Sequence, residues 1–313
     1  MVKWPNGKSF AFTIVDDTDE ATVNNVKPIY DLLYELGIKT TKTVWAFPSR
    51  DEFSGDTLAD ENYVQFIKEL SDKGHEIAFH GAGSGTFTGE ETVLSQEIIK
   101  NLIGYYPRLY INHANNIGNL YWNHKRFSFP FDKLFILAKR VLGNEMIVSQ
   151  GEVEESPYFW GDFAKEHIQY IRNRTFSGIN TIKYDNKMPY RNKKNEKFSN
   201  YWFSSSDAYN CISFKELLSK KNVDKLIKQN GCAIIYTHFA YGFVMEDGTI
   251  DPEFIECIRY ISGKNGWFVP ASKILDYINI NRNADVYISN LQKIYLDTIW
   301  FAERIIRKLI RGE

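Results

Sequence analysis

Cysteine is scarce in this chain. Its 313 residues include three cysteines, Cys211, Cys232 and Cys257, and no two of them have the CxxC spacing. An odd and sparse set of this kind argues against a disulfide framework and suits a protein that works in a reducing compartment.

Long apolar runs and a strong charge of either sign are also missing. No apolar stretch reaches the roughly 18–20 residues that a membrane-spanning helix needs. No apolar segment follows Lys3 to form a secretory signal. We therefore expect a cytoplasmic protein. Because the formal net charge is -1, the chain gives no general electrostatic reason to expect nucleic acid as a partner.

A regular alternation of strand and helix patterns is present instead. The first 114 residues contain four predicted strands, with three predicted helices between them: strands 9–17, 39–47, 76–81 and 108–114, and helices 24–36, 61–73 and 90–103. Strands that alternate with helices over short connections form a parallel sheet, either open or closed into a barrel. The length of the chain suits a single β/α barrel with insertions.

The middle of the chain is less regular. Residues 119–205 include a predicted helix at 131–142 and a predicted short strand at 146–149. We interpret this part as barrel elements that carry long active-site loops. The alternation then resumes with predicted strands 232–238 and 267–269 and predicted helices 252–262 and 272–280.

The last part of the chain predicts a helix of its own. From about residue 285 the apolar residues keep helical spacing, and the chain ends in the basic segment RIIRKLIRGE. We therefore divide the chain into a barrel domain at 1–282 and an amphipathic C-terminal helix at 283–313. We expect this helix to pack on the barrel or on a second copy of the chain. The alternative is peripheral contact with the anionic surface of the inner membrane.

Polar side chains cluster where the predicted strands end. They are Asp16 and Asp17 after the first strand, His80 after the third, Asn112 and His113 at the fourth, and His238 at the end of IIYTH. In parallel β/α folds the active site forms at the C-terminal ends of the strands. Three of the six histidines therefore meet at one predicted rim, and an aspartate joins them there. This combination indicates a metal site.

Two of these segments resemble motifs of a known family. FTIVDDTD and GHEIAFHG are similar to the first two motifs of the NodB-homology polysaccharide deacetylases, carbohydrate esterase family 4, and CAIIYTH is similar to a late motif of that family. The resemblance implies a distorted β/α barrel that removes N- or O-acetyl groups from sugars with a divalent metal. It further implies that Asp16 is the general base, that Asp17 and His80 are metal ligands, and that His238 is the general acid.

The sequence departs from that family at the second metal histidine. The corresponding position is Ser84, and serine is a poor ligand for a divalent metal. We expect His113, at the end of the next strand, to complete a site with Asp17 and His80, for which zinc is the default metal. The alternative third ligands are Asp19 and a carboxylate of GEVEES, either Glu152 or Glu154. A buried, hydrogen-bonded role for His113 is nearly as well supported.

Five further residues are weaker candidates for contacting the substrate: Asn112, Trp122, Tyr190, Arg191 and Asp207. Trp122 could stack on a sugar ring, and Arg191 could bind a carboxylate, phosphate or hydroxyl group. Asp207 ends the strand-like segment YWFSSSDA and could orient His238 or Arg191. The structural alternatives are core packing for Trp122, a solvated loop position for Arg191 and a turn cap for Asp207.

These observations predict metal-dependent hydrolysis of an acetyl group, N-linked by preference, from a sugar. An acetylated sugar or polysaccharide precursor of surface-polysaccharide metabolism is the expected substrate. Two other functions stay open. One is a catalytically inactive relative that binds sugar or acts as a scaffold, which Ser84 suggests. The other is a metal-free glycoside hydrolase that uses two carboxylates, such as Asp16 and Asp207.

Overall fold

A closed parallel barrel forms the centre of the computed structural model, which describes residues 2–114, 116–143, 146–282 and 284–311. Seven strands close the barrel because the first pairs with both the second and the seventh, and an eighth strand lies beside the first. The strands are β1 (Phe10–Asp16), β2 (Thr41–Val44), β3 (Glu76–Phe79), β4 (Leu109–Tyr110), β5 (Tyr170–Phe176), β6 (Tyr201–Asp207), β7 (Cys232–Thr237) and β8 (Gly266–Phe268).

Helices surround this barrel and connect its strands. They are α1 (Val23–Glu35), α2 (Glu61–Asp72), α3 (Gly89–Ile103), α4 (Phe131–Val141), α5 (Gly161–His167), α6 (Thr181–Tyr184), α7 (Cys211–Leu217), α8 (Lys220–Lys228), α9 (Pro252–Ser262), α10 (Ala271–Ile280) and α11 (Asn290–Arg311). None of the helices in the described ranges is long and apolar enough to cross a membrane. The architecture confirms the predicted distorted β/α barrel with an extra amphipathic helix at its C-terminal end.

Local sequence signals account for several helix ends in the first half of the chain. Thr22 begins α1 with a capping box, in which its side chain accepts from the backbone N–H of Asn25 and the Asn25 side chain accepts in return. Thr88 and Glu91 form the same arrangement at the start of α3. Gly104 ends α3 with a φ of 86°, a conformation that glycine adopts without strain. These signals made the outer elements of the first half predictable.

The middle of the chain differs from the prediction. Residues 146–149 lie within the described ranges and form no strand there, whereas β5 was not predicted. The sequence of β5, YIRNRTF, places Arg172 and Arg174 at buried positions of a barrel strand. A strand that is buried on both faces usually has a continuous apolar sequence. Because two arginines interrupt the sequence of β5, its pattern does not predict a buried strand.

Helix α11 packs against the barrel through a small buried face. Leu296 and Trp300 are buried in it, and Trp300 contacts Phe127 with a ring-centroid distance of 5.0 Å. Asp297 on the same face is fully buried and accepts from Arg174 Nε at 3.0 Å. The opposite side of α11 exposes apolar side chains: Leu291, Tyr295, Ile305, Ile306 and Leu309. The division of the chain at residues 282 and 283 stays a prediction.

We expect the Arg174–Asp297 pair to anchor α11. In Asp297→Asn the buried guanidinium keeps its charge and loses its carboxylate, which should lower the free energy of unfolding by about 3–5 kcal/mol. Asp285→Asn is the matched control, because Asp285 pairs with Arg191 at 3.0 Å on the surface and should cost at most about 1 kcal/mol. Urea unfolding followed by circular dichroism measures both. Equal stability of the two variants would contradict the proposed anchor.

Candidate metal centre and active site

A cleft of about 1040 Å³ opens at the C-terminal ends of the barrel strands. Among the rim residues predicted from the sequence, Asp17, His80, Asn112, His113 and His238 all line it. Side chains of β5, β6 and α11 complete its wall. The cleft therefore lies where active sites of β/α barrels form.

Strand register brings the rim residues together. β1 and β7 pair in parallel up to the last residues of both strands, so Asp17 and His238 leave adjacent strands at the same level. The backbone N–H of Asp17 continues this pairing by donating to the Thr237 carbonyl at 2.9 Å. β3 and β4 pair at Phe79, so His80 and the segment that leads to His113 also run side by side.

Three buried side chains bring possible metal-ligand atoms together in the cleft. Asp19 Oδ1 lies 3.2 Å from His80 Nε2, and Asp19 Oδ2 lies 3.5 Å from His113 Nε2. One ligand atom from each residue falls within 4.8 Å of the others. Among the described residues, Asp19 Oδ1 and the Nε2 atoms of both histidines are buried and have no hydrogen-bond partner. Because buried polar atoms are rarely left unpaired, this set fits a bound metal ion.

Hydrogen bonds on the far side of each ring orient the two imidazoles. His80 Nδ1 lies 2.9 Å from the Ile111 carbonyl oxygen, which accepts only if Nδ1 carries the proton. His113 Nδ1 lies 3.3 Å from Asn116 Oδ1, which also accepts from the Gly85 backbone N–H at 2.8 Å. Such contacts leave Nε2 of each neutral ring unprotonated and available to a metal.

Ser84 lies directly beside His113. Its side chain is fully buried, and Ser84 Oγ is 3.4 Å from His113 Nδ1. The small side chain of Ser84 leaves room beside it for the imidazole of His113.

Asp17 does not occupy the position that the resemblance implies for a metal ligand. It receives two hydrogen bonds from Arg172 of β5, one of them from Nη1 to Oδ1 at 3.0 Å, and its nearest approach to His80 Nε2 is 4.0 Å. Asp19, two residues further along the chain, projects into the group of histidines instead. The turn after β1 therefore offers this group the carboxylate of Asp19 and not that of Asp17.

Asp16, the predicted general base, lies in the barrel interior. Its side chain is fully buried and pairs with Lys42 Nζ at 3.0 Å. It also accepts from the Tyr30 hydroxyl at 3.0 Å and from the Phe239 backbone N–H at 2.8 Å. Burial raises the pKa of Asp16, and these three partners offset part of the rise. A carboxylate held in this way has a structural role.

His238 approaches the same carboxylate oxygen of Asp19 as His113 does. Its Nε2 is 3.3 Å from Asp19 Oδ2, and its Nδ1 is 3.1 Å from the Tyr209 carbonyl oxygen. Burial alone would lower the pKa of His238, but Asp19 and Asp17 outweigh it and raise the pKa. Likewise, burial alone would raise the pKa of Asp19, but the facing imidazoles hold that pKa well below its usual range.

The weaker candidates divide into two groups. Asn112, Trp122 and Asp207 line the cleft. Tyr190 is buried beneath it and accepts from Asn173, and Arg191 pairs with Asp285 on the surface, so the structure does not bring these two to the cleft.

The two alternative third ligands from GEVEES lie elsewhere. Glu152 pairs with Lys125 at 2.6 Å, and Glu154 pairs with Lys197. Asp207 orients neither His238 nor Arg191, because its Oδ2 accepts from Arg304 at 2.8 Å and from Arg307 at 2.9 Å. Those arginines hold the pKa of Asp207 below its usual range, against the opposing effect of burial.

Sequence reasoning missed the arginines of the site. Arg172 comes from the unpredicted strand β5. Arg304 and Arg307 come from α11, for which the sequence predicts packing on the barrel or on a second copy of the chain but no side chain in the site. The only available signal for Arg172 was a strand-length segment with charged residues at alternate positions. That signal is equally typical of an exposed strand.

Comparisons with known proteins agree on the fold. No family model matches this chain, and no curated protein matches its sequence. The crystal structure of the allantoinase PuuE is similar, with a TM-score of 0.53 and 13% identity over 90% of this chain and 94% of that chain. A probable polysaccharide deacetylase from Pseudomonas aeruginosa PAO1 is similar to the same degree, with a TM-score of 0.53 and 12% identity over 90% of this chain and 95% of that chain. The chain therefore has the polysaccharide deacetylase fold that its sequence motifs predicted.

Proposed function

We propose that this protein is a metal-dependent hydrolase that removes an N-linked acetyl group from a sugar. The observation that carries the proposal is a group of three possible metal-ligand atoms, from Asp19, His80 and His113, in the cleft of a deacetylase-type barrel. They are buried and have no hydrogen-bond partner among the described residues. The probable deacetylase among the similar structures supports the same reaction class.

One carboxylate and two imidazoles are the ligands that a catalytic zinc site uses, with a further position left for water or substrate. Asp19, His80 and His113 would hold the ion, which would lower the pKa of a water molecule and polarise the acetyl carbonyl. Zinc is the proposed default metal, although related divalent metals accept the same ligands.

Asp17 is the proposed general base. Its two hydrogen bonds from Arg172 fix the carboxylate at the wall of the cleft, next to the histidines. A base must lie within hydrogen-bond reach of the proton that it accepts, and Asp17 lines the same cleft as the proposed metal ligands. Asp16 cannot serve, because Lys42, Tyr30 and Phe239 surround its carboxylate.

His238 is the proposed general acid. Because Tyr209 accepts from its Nδ1, the Nε2 atom is the one that faces Asp19 and the cleft. A proton held on Nε2 would pass to the leaving amine as the bond to the acetyl carbon breaks. Trp122 and Asn112 line the same cleft and are the proposed contacts for the sugar.

The finer predictions about biology stay predictions. They are a role in surface-polysaccharide metabolism, a cytoplasmic location, and contact of the C-terminal helix with the inner membrane or with a second copy of the chain. No observation favours glycoside hydrolysis by Asp16 and Asp207, because both carboxylates are occupied by cationic side chains. A catalytically inactive sugar-binding relative would be the better account if the metal experiment below found no zinc in the wild-type protein.

Metal content tests the proposed ligands directly. Protein prepared without an affinity-metal step and then loaded with zinc should hold about one ion per chain. Asp19→Ala and His113→Ala should each lose it, because two ligands do not complete the site. Asp285→Asn, a surface variant, is the control. Mass spectrometry of the metal measures all four proteins, and an absence of zinc from the wild type would leave the inactive relative as the better account.

A histidine at position 84 should improve neither the stability of the protein nor its zinc binding. We expect Ser84→His to lower the free energy of unfolding by about 1–3 kcal/mol and to weaken zinc binding, because the new ring would overlap with that of His113. Ser84→Ala, which removes only the hydroxyl, is the control and should keep the zinc. Urea unfolding and zinc titration measure both effects. Tighter zinc binding by a stable Ser84→His protein would contradict the role given to His113.

The two adjacent aspartates should respond differently to substitution. Asp17→Asn should reduce kcat for acetate release by about 10²–10⁴-fold in the folded, zinc-loaded protein, because a general base is lost, and it should also lower the free energy of unfolding, because Arg172 loses its buried carboxylate. Asp16→Asn should lower the free energy of unfolding by about 3–5 kcal/mol, because Lys42 is left buried without its carboxylate, and should leave kcat of the folded, zinc-loaded protein close to that of the wild type. Acetate release from N-acetylated sugars and urea unfolding separate the two. The assignment fails if Asp17→Asn retains full activity.

A further inference from the structure

Four arginines line the same cleft as the proposed metal site. Arg172 belongs to β5, Arg126 follows Trp122 in the loop before α4, and Arg304 and Arg307 belong to α11. A fifth, Arg174, lies directly behind Arg126, and its Nη2 donates to the Arg126 carbonyl oxygen at 3.0 Å. So many guanidinium groups in one cleft require anions to balance them.

All but one of these arginines have a carboxylate partner. Arg172 pairs with Asp17, and Arg174 pairs with Asp297. Arg304 and Arg307 share Asp207, at 2.8 and 2.9 Å from the same oxygen. The glutamate of α11 that also lines the cleft, Glu303, is hydrogen-bonded to Ser177 at 2.9 and 2.6 Å. Arg126 alone has no ion pair with any carboxylate in the described part of the chain.

Aromatic rings and one hydrogen bond hold Arg126 in place. Its guanidinium lies 4.3 Å from the centroid of Trp122 and 4.9 Å from that of Trp300. Nη1 donates to the Asn173 carbonyl oxygen at 3.1 Å, whereas Nε is buried and has no hydrogen-bond partner within the described ranges. Stacking of this kind fixes the plane of the guanidinium and leaves its unused N–H donors for a ligand.

The surroundings of Arg126 favour an added negative charge. Burial, together with the neighbouring Arg174 and Arg304, holds the pKa of Arg126 well below its usual range. A cation surrounded by cations is stabilised when an anion binds beside it. Phosphate and carboxylate groups match the planar fork of arginine with two parallel hydrogen bonds.

Arg126 is also close to the proposed chemistry. The carbonyl group that it binds belongs to Asn173, the residue after Arg172, and Arg172 holds the proposed base Asp17. Consecutive residues have their Cα atoms about 3.8 Å apart, so the strand segment that Arg126 binds also carries Arg172. Both arginines therefore belong to the same wall of the cleft.

We propose that Arg126, stacked between Trp122 and Trp300, forms an anion subsite, and that the substrate is an acetylated sugar carrying a phosphate or carboxylate group. The assignment of the subsite to a substrate rests on the proposed deacetylase function. The binding of the anion itself does not, since it depends only on the side chains of this wall.

The test uses sugars without an acetyl group, so that no turnover is involved. Glucose 1-phosphate, glucuronate and glucose are titrated by calorimetry into the full-length protein, both zinc-loaded and metal-free. We expect at least one charged sugar to bind at least tenfold more tightly than glucose in both forms. The phosphate and uronate arms distinguish the two sources of the anion. Equal binding of all three sugars by the wild type would overturn the proposal, whether or not any variant folds.

Two variants locate the binding. Arg126→Gln should remove most of the preference for the charged sugar, a loss of about tenfold, and Arg126→Lys should retain part of it, because lysine keeps the charge but not the fork. Arg191→Gln, which changes a surface arginine paired with Asp285, is the matched control and should bind as the wild type does. An unchanged preference in a folded Arg126→Gln protein would place the anion elsewhere and contradict the subsite.

A parallel acetate-release assay keeps the two proposals apart. It compares N-acetylglucosamine with N-acetylglucosamine 1-phosphate and the corresponding N-acetylated uronate. No release from any of them, together with a preference for charged sugars in calorimetry, would remove the deacetylase function and keep the subsite. Equal release of acetate from neutral and charged sugars would keep the deacetylase function and contradict the assignment of the subsite to the substrate.

Discussion

Two buried arginines on one barrel strand are the constraint on which the rest of this structure depends. The side chains of Arg172 and Arg174 on β5 are both buried, and an unpaired guanidinium at such a position would be strongly destabilising. Each is matched by a carboxylate from a distant part of the chain, Asp17 after β1 and Asp297 on α11. The first pair shapes the proposed catalytic wall, and the second fixes the helix that completes the cleft.

The proposed metal centre draws its side chains from three different strand ends. His113 lies at the end of the strand next to that of His80, in contact with the Ser84 hydroxyl. Asp19 faces these histidines, while Asp17 pairs with Arg172. A metal requires donor atoms at suitable distances and not a particular order along the chain, so one carboxylate and two imidazoles from these segments would suffice.

Much of the fold and part of the candidate site could be predicted from the sequence. The alternating patterns, capping residues and glycines of the first half predict its helices closely, and the rim histidines follow from the ends of the strands. Strand β5 could not be predicted, because its buried charges are neutralised only by residues far away in the chain. The resemblance implies roles for Asp16 and Asp17, but it carries no information on which carboxylate of this turn lies nearest to the histidines, and in the folded chain that carboxylate is Asp19.

Local sequence patterns are enough to assign the class of the molecule: a parallel β/α barrel with aspartates and histidines at the C-terminal ends of its strands. Periodicity and helix caps are local properties, so they can be read without the fold. The folded chain alone sets which carboxylate meets the histidines, which aspartate is buried against Lys42, and which cleft arginine has no carboxylate partner among the described residues. Those outcomes depend on distances of a few ångströms between segments that are far apart in the chain, and charge interactions in a buried cleft change steeply over such distances.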